Sequence, residues 1–405
     1  MNEPRIASPL AKDLEAHADL LSAARRVAAI ADEDATEAEA QSSLTDRTVG
    51  AMREDGLFRM WVPRELGGAE ADPITSIRLL EEVSRADGSA GWSLMAAGVA
   101  IGSAAAFLAD AAVAEIFGSS DDPVIAGQGA PTGRGVPEAG GYRLSGAWSY
   151  GSAIAHAAWA HSGFFVVNDG EIRRDPDGRP QVLISIVPMA KVELDANWDV
   201  IGLRATGSFD YEIRDTFLPE DFTHPFDAKE PLRGGVLYRL GISGLAQIGH
   251  TSFALGIARR ALDEIAALAP TKRLRAGQRL SEDPSFQERY ALAEAHLGAA
   301  RAYVLETWNS TWQTLQSGDP LDLKQWALLS LVTRHVHDVA SDVVNFAYRA
   351  GGGVSLRMSV LQRTARDMHG ATQHVIINDQ ATRHATTVLL GMAPPGARWS
   401  GTGLV

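Results

Sequence analysis

The chain has 405 residues, 45% hydrophobic and 21% charged, which excludes a disordered polymer and provides material for several packed layers. Fifty acidic against 37 basic residues give a formal charge of -13, which argues against the concentrated positive field of a nucleic-acid or anionic-membrane surface. With no cysteine, disulfides, thiolate nucleophiles, iron–sulfur ligation and cysteine-based zinc sites are excluded, while a few local cations remain able to hold a phosphate.

In chain order, Met1 to Asp13 is charged, broken by Pro4 and Pro9, and has no apolar signal core. No stretch is expected to reach the roughly 20 uncharged apolar residues of a spanning helix, so a soluble, cytoplasmic protein is expected. Amphipathic periodicity predicts helices over Leu10 to Ala31, Thr45 to Asp55, Thr75 to Arg85 and Ser89 to Phe107, interrupted by the loop Val62 to Gly68. From about Asp121 to Asp227 short alternating runs replace the helical period. Strands are predicted over Tyr142 to Ser145, Ala160 to Val167, Val182 to Val187 and Tyr211 to Phe217, with turn chemistry over Asn168 to Pro180. Helical periodicity returns over Leu240 to Leu268, Pro284 to Gln316, Asp322 to Arg349 and Leu361 to Leu390, the last with a break near His369. The expected fold is mainly α with a central β domain. Residues 1–120 form an N-terminal helical domain, 121–227 an antiparallel sheet or barrel, and 228–405 a four-helix bundle.

Generic catalytic motifs fail. Gly129, Gly133 and Gly135 do not make a dinucleotide fingerprint, and neither a Walker sequence nor a nucleophile elbow is present. His335 and His337 are two apart on a predicted helix and His369 and His374 five apart, both poor spacings for a shared metal, so no metal site is expected.

The run Val62-Pro63-Arg64-Glu65-Leu66-Gly67-Gly68, followed by Leu80 to Ser89, resembles the N-terminal signature of the acyl-CoA dehydrogenase superfamily. Gly146-Ala147-Trp148-Ser149-Tyr150 resembles the segment where that superfamily's middle sheet meets the flavin, and Ile201 to Ser208 the strand-loop that follows. Tyr348 to Gly353 and Arg363 to Asp367 resemble its bundle's glycine loop and Arg-Asp pair. The match runs through nearly the whole chain in the right order. It implies an N-terminal helical domain, a middle sheet and a C-terminal four-helix bundle.

One departure selects a branch. Where the dehydrogenases resembling this pattern carry a carboxylate base after the Arg-Asp pair, this chain has His374 within Thr372 to Ile376. Abstracting a proton beside a thioester requires a base in reach, so desaturation is disfavoured. A histidine here resembles the superfamily's two-component flavin monooxygenases, among them the oxygenase of 4-hydroxyphenylacetate hydroxylase and the dibenzothiophene monooxygenases. Trp148 to Ser152 resembles their Trp-x-Phe/Tyr-x-Ser pattern, and Gly88 to Trp92 their Gly-Ser-x-x-Trp/His element.

The resemblance implies a homotetramer in which reduced FMN or FAD, delivered by a separate reductase, reacts with O2 to a C4a-hydroperoxide that hydroxylates a small aromatic or heteroatom substrate. Ser152 would hold the flavin N5 edge, and His374 would deprotonate the substrate or hydrogen-bond the peroxide. Trp92 and Trp148 would wall the site, Thr206 and Ser208 would add donors, and His369 would support His374. Arg273, in Thr271 to Arg275, and the glycines Gly351 and Gly352 would serve the phosphate end, the arginine coming from a neighbouring subunit. Taken alone, each residue has a plainer reading: a tryptophan in the core, a serine at a strand end, a satisfied buried histidine, a solvated basic cluster. Three other readings stay open: a dehydrogenase with a relocated base, an N-oxygenase of an amine or amino sugar, and a non-catalytic assembly protein.

Overall fold

The computed structural model describes residues 18–118, 123–176, 178–400 and 403–405. The first predicted helix therefore begins outside the described residues. Within them it runs as α1 (Ala18–Ala40), past the expected end at Ala31, with Ala24, Val27, Ala28, Ala31 and Ala35 buried at helical spacing. Three more N-terminal helices start on side-chain caps. Thr45 accepts from Thr48 N at the head of α2 (Asp46–Glu54), Asp72 from Ile74 N and Thr75 N before α3 (Pro73–Ala86), and Asp87 from Ala90 N before α4 (Gly88–Phe107). A short α5 (Asp110–Phe117) follows.

Helix α4 corrects one expectation. It is long and apolar enough to cross a bilayer by length and composition, yet 94% of its apolar window is buried inside the protein. It packs on the sheet at one side and on the bundle at the other, so apolar residues all round are what its surroundings require.

The sheet contains β1 (Ile125–Glu138), β2 (Gly141–Gly151), β3 (Trp159–Asn168), β4 (Glu171–Ile172), β5 (Val182–Pro188), β6 (Glu193–Asp195), β7 (Phe209–Pro219) and β8 (Thr223–Pro225). Its order is β6-β7-β2-β1-β3-β5-β8, with β4 added to β3. All four predicted strands fall within it. The sheet is mixed rather than antiparallel throughout, because β1 and β3 run parallel. Strand β1 carries glycines and prolines and reads as loop by composition. A Cβ on Gly133 would lie 2.4 Å from the Trp148 ring and one on Gly135 2.3 Å from the Phe164 ring, so these glycines make room for the large side chains of the strands beside them.

The C-terminal helices are α6 (Gly241–Leu268), α7 (Pro284–Gln316), α8 (Leu323–Gly351), α9 (Val360–Ala371) and α10 (Asp379–Leu389). The fourth predicted helix, Leu361 to Leu390, is thus two helices. Its break lies a few residues beyond His369, where α9 ends on Thr372 and Asn378 caps α10 by accepting from Ala381 N. His374 stands in the turn between them. A hairpin of β9 (Trp399–Ser400) and β10 (Gly403–Leu404) closes the described chain.

Candidate active site

Ser152 follows the last residue of β2. Its position is set from both sides of the backbone: β2 pairs with β7 up to Gly151 opposite Phe209, and Ala153 N donates to Thr206 O at 2.8 Å. Two side chains donate to its hydroxyl oxygen. One is Trp92 Nε1 from α4, at 3.0 Å; the other is Ser208 Oγ, also at 3.0 Å. Ser208 in turn lies 2.6 Å from Thr206 Oγ1, which donates to Leu203 O at 2.9 Å. A hydroxyl has two acceptor positions and one proton. With both positions of Ser152 filled, its own proton is the one left to give.

The Leu203 to Ser208 loop is locked to both neighbouring layers. Leu203, at φ 55°, donates its N–H to Asp367 Oδ1 of α9 at 2.6 Å, and Ala205 N donates to Ser89 Oγ of α4. A Cβ on Gly202 would fall 1.9 Å from Arg366 O, so the loop backbone lies directly on the backbone of α9. The Arg-Asp pair seen in sequence therefore divides. Arg366 binds Glu39 and Ile201 O, while Asp367 is buried beside Asp87, which Arg363 approaches at 3.6 Å. Burial, and next the Asp87 charge, raise the Asp367 carboxyl to about 7.

Through Trp92, Ser152 is joined to a cluster of rings. Trp92 meets His374 edge-on at 5.6 Å, His250 of α6 at 5.0 Å and Phe253 at 5.1 Å. His250 and His374 lie 4.2 Å apart, and His337 of α8 stands 6.0 Å behind His250. His374 Nδ1 accepts from Ile376 N at 3.3 Å, which places the proton of the neutral ring on Nε2. Burial, and then the neighbouring His337, bring His374 down to about 4, so this ring is uncharged at neutral pH. The turn Thr372 to Asn378 contains no carboxylate.

The structure thus brings Ser152, Trp92, Thr206, Ser208 and His374 together. Other expected site residues lie elsewhere. Trp148 is fully buried inside the sheet, stacked on Tyr211 at 5.2 Å with Nε1 donating to Gly163 O, so it offers no face to a ligand. Tyr150, two residues on, would share the face of Trp148 in a regular strand, but the pairing with β7 is irregular between Trp148 and Gly151; Tyr150 is exposed and meets Trp198 at 4.5 Å. His369 is exposed on α9 and does not support His374. Arg273 donates to Gly277 O within its own loop, while its neighbour Lys272 reaches Gly351 O at 2.6 Å beside Gly352. That end of the bundle is remote: Gly351 lies roughly 20 Å along α8 from His337 at the helical rise. Sequence reasoning missed His250, His337, Phe253, Tyr150, Trp198 and Lys272. His250 and Phe253 share one face of a helix that is buried almost all round, where periodicity marks no preferred side.

These residues fit the reactive edge of a flavin. An apolar ring-lined wall, a hydroxyl constrained to donate, and a neutral imidazole are the groups a planar heterocycle with edge acceptors would use.

Two family models match the chain, the acyl-CoA dehydrogenase N-terminal domain over residues 15–115 and the C-terminal domain over residues 248–379. An indole-3-acetate monooxygenase of Pseudomonas putida is 30% identical over 362 residues, covering 88% of this chain and 90% of its own. This chain belongs to the monooxygenase branch of the acyl-CoA dehydrogenase superfamily. A flavin-dependent monooxygenase oxygenase subunit, HsaA of Rhodococcus jostii, is 28% identical over 84% of this chain and 90% of its own. Among solved structures, XiaF from Streptomyces sp., in complex with FADH2 and glycerol, superposes with a TM-score of 0.87 at 24% identity, covering 96% of this chain and 99% of that one. Fold and enzyme class are those the sequence motifs implied.

Proposed function

We propose that this monooxygenase is the oxygenase component of a two-component system, taking reduced FMN or FAD from a separate reductase and hydroxylating a small aromatic or heteroatom substrate with O2. The observation that carries the reading is the Ser152 hydroxyl, saturated as an acceptor by Trp92 and Ser208, with a neutral His374 in ring contact with the same Trp92. The names of the relatives support the cofactor and the aromatic class of substrate.

Bound reduced flavin would supply the two electrons with which one oxygen atom of O2 enters the substrate and the other leaves as water. The chain's own part is positional. Ser152 would hold the N5 edge of the ring through its hydroxyl, and Thr206 and Ser208 keep that hydroxyl in place. Trp92, Phe253 and His250 keep water, and with it stray protons, out of the pocket. His374 Nε2 donates to the oxygen that receives charge. Tyr150 and Trp198 form the exposed aromatic edge beside Ser152 against which a ring rests.

The phosphate end is assigned to Arg273, Lys272, Gly351 and Gly352 of a second copy, since in one chain they lie far from Ser152. The reading therefore includes a homotetramer built as a dimer of dimers. It also includes a cytoplasmic setting shared with the reductase, and three working segments over residues 1–120, 121–227 and 228–405.

The test is rapid mixing of anaerobic protein and reduced FMN or FAD with oxygenated buffer. Wild type should show a lag before the oxidised-flavin absorbance returns, and Ser152→Ala should shorten it and release more hydrogen peroxide. Immediate return in wild type, at the rate of free flavin, contradicts the reading.

A further inference from the structure

Behind His374 the bundle holds two imidazoles for which the chemistry above has no direct use. His250, on α6, is in ring contact with His374 and Trp92, and His337, on α8, is in ring contact with His250. Both are buried at 2% and 0% exposure, and both leave a nitrogen without a partner: Nδ1 of His250 and Nε2 of His337. His337 Nδ1 lies 2.8 Å from Thr333 O and so carries the proton of the neutral ring, leaving Nε2 as a bare acceptor in the core. A leucine or phenylalanine would fill either place without burying an unsatisfied nitrogen, a cost of about 1–3 kcal/mol. Three such rings in a line from the pocket wall inward require a reason.

We propose that His250 and His337 are positioning residues of the oxygenation site, forming with His374 a row of imidazoles in which charge on one ring excludes charge on the others. The ring at the wall is thereby kept neutral, in its Nε2–H tautomer, throughout the range in which the enzyme holds oxygen. An imidazolium there would be a proton donor beside the flavin and would promote loss of hydrogen peroxide.

The charged groups around the row leave it isolated. From α6 it meets only His250. From α8 it meets His337 and, one turn before it, Arg334, whose charge is taken by Asp338 at 2.9 Å and by Asp379 of α10 at 2.6 Å. Helix α4 presents Trp92, which carries no charge, and on α9 Arg366 and Asp367 are engaged with Glu39 and Leu203 N. No carboxylate contacts any of the three rings among the described residues, so nothing nearby compensates a positive charge on them. Burial lowers all three rings first; His337 then lowers His374, His374 and His337 lower His250, and the Arg334 charge lowers His337, leaving His374 and His337 at about 4 and His250 well below its ordinary value.

The inference rests on the proposed oxygenase reading for its purpose, but its test does not need flavin. Histidine ring NMR on the flavin-free protein follows each titration. In wild type none of the three rings should titrate near the ordinary value of about 6.5. His337→Asn, whose amide can still donate to Thr333 O, should raise the His374 midpoint by about half a pH unit or more. His250→Gln should move it the same way, and serves if the first variant fails to fold. His161→Asn, a buried histidine of the sheet, should leave it unmoved.

In the flavin reaction, the pH below which the lag shortens should rise with the His374 midpoint. A wild-type row titrating near 6.5, or a His374 midpoint unmoved in a folded variant, overturns the proposal. So does a lag shortened equally at every pH, which marks a merely structural role. Absence of any lag in wild type would defeat the oxygenase reading instead, and the NMR titration would still decide on the row.

Discussion

The Ser152 hydroxyl owes its direction to Trp92 and Ser208, so a change in either should act on the flavin reaction without touching the flavin. Trp92→Phe keeps a ring against His250 and Phe253 but removes the Nε1–H that fills one acceptor position of Ser152. A net hydrogen bond is worth about 0.5–1.5 kcal/mol, so the lag before flavin reoxidation should shorten by about 2–10-fold, with little change in flavin affinity. An unchanged lag with a weakened Kd would make Trp92 a wall and nothing more. At this scale the sequence was readable where a residue type has one plausible task in its motif. Ser152, Thr206 and Ser208 are brought within hydrogen-bond reach of one another, and His374 into contact with Trp92. Trp148 stays inside the sheet, stacked on Tyr211, while Tyr150 is exposed past a pairing irregularity between Trp148 and Gly151, and the motif alone does not state where that irregularity falls.

The element that transmits the most is the loop at residues 201–207, held between α4 and α9 by Ser89 and Asp367. Asp367 has an ordinary unfolded value of 3.8 and a folded value of about 7, so its neutral form is preferred in the fold. Its contribution to stability is therefore complete below pH about 4 and is lost as pH rises through 7. Asp367→Asn keeps an acceptor for Leu203 N and cannot ionise. It should be more stable than wild type above pH 7, by about 1–3 kcal/mol at pH 8, and the gain should vanish toward pH 4. Thermal unfolding across that range measures it, and a pH-independent difference would show that the carboxyl stays ionised in the fold. The elements themselves were largely legible: helix caps such as Asp72 and Asp87 and the long apolar periods gave helices at or near the expected bounds. Strand β1 was not, since its glycines answer to the Trp148 and Phe164 rings, a tertiary demand that local composition hides. The split of the fourth bundle helix was placed a few residues early for a related reason: its break is fixed by caps at Asn378 and His374 rather than by a proline or glycine.

For the molecule as a whole, four buried histidines and the part-buried His374 set the acid limit. His161, His224, His250, His337 and His374 are all lowered by burial, to about 3 for His161 and about 4 for His224, His337 and His374. A histidine with a depressed folded value contributes stability that is complete above its unfolded value and is lost as pH falls toward the folded one. The melting temperature should accordingly fall steeply from pH 6.5 to 4, with several protons taken up on unfolding, while Asp367 acts in the opposite sense. A melting temperature that stays level over that interval would mean that these rings are solvated. The layer order was legible because helical and alternating periods change at the boundaries between layers; which strands run parallel was not, because pairing is settled between segments far apart in sequence. The two sides of the pocket are also built to different standards of permanence. The serine side is fastened by sheet pairing, a buried helix and a locked loop, whereas the histidine side is a short capped turn with Val375 exposed at its crest. The residues of that turn around His374 can therefore be exchanged one by one, as Val375 can, without loosening the frame that holds Ser152.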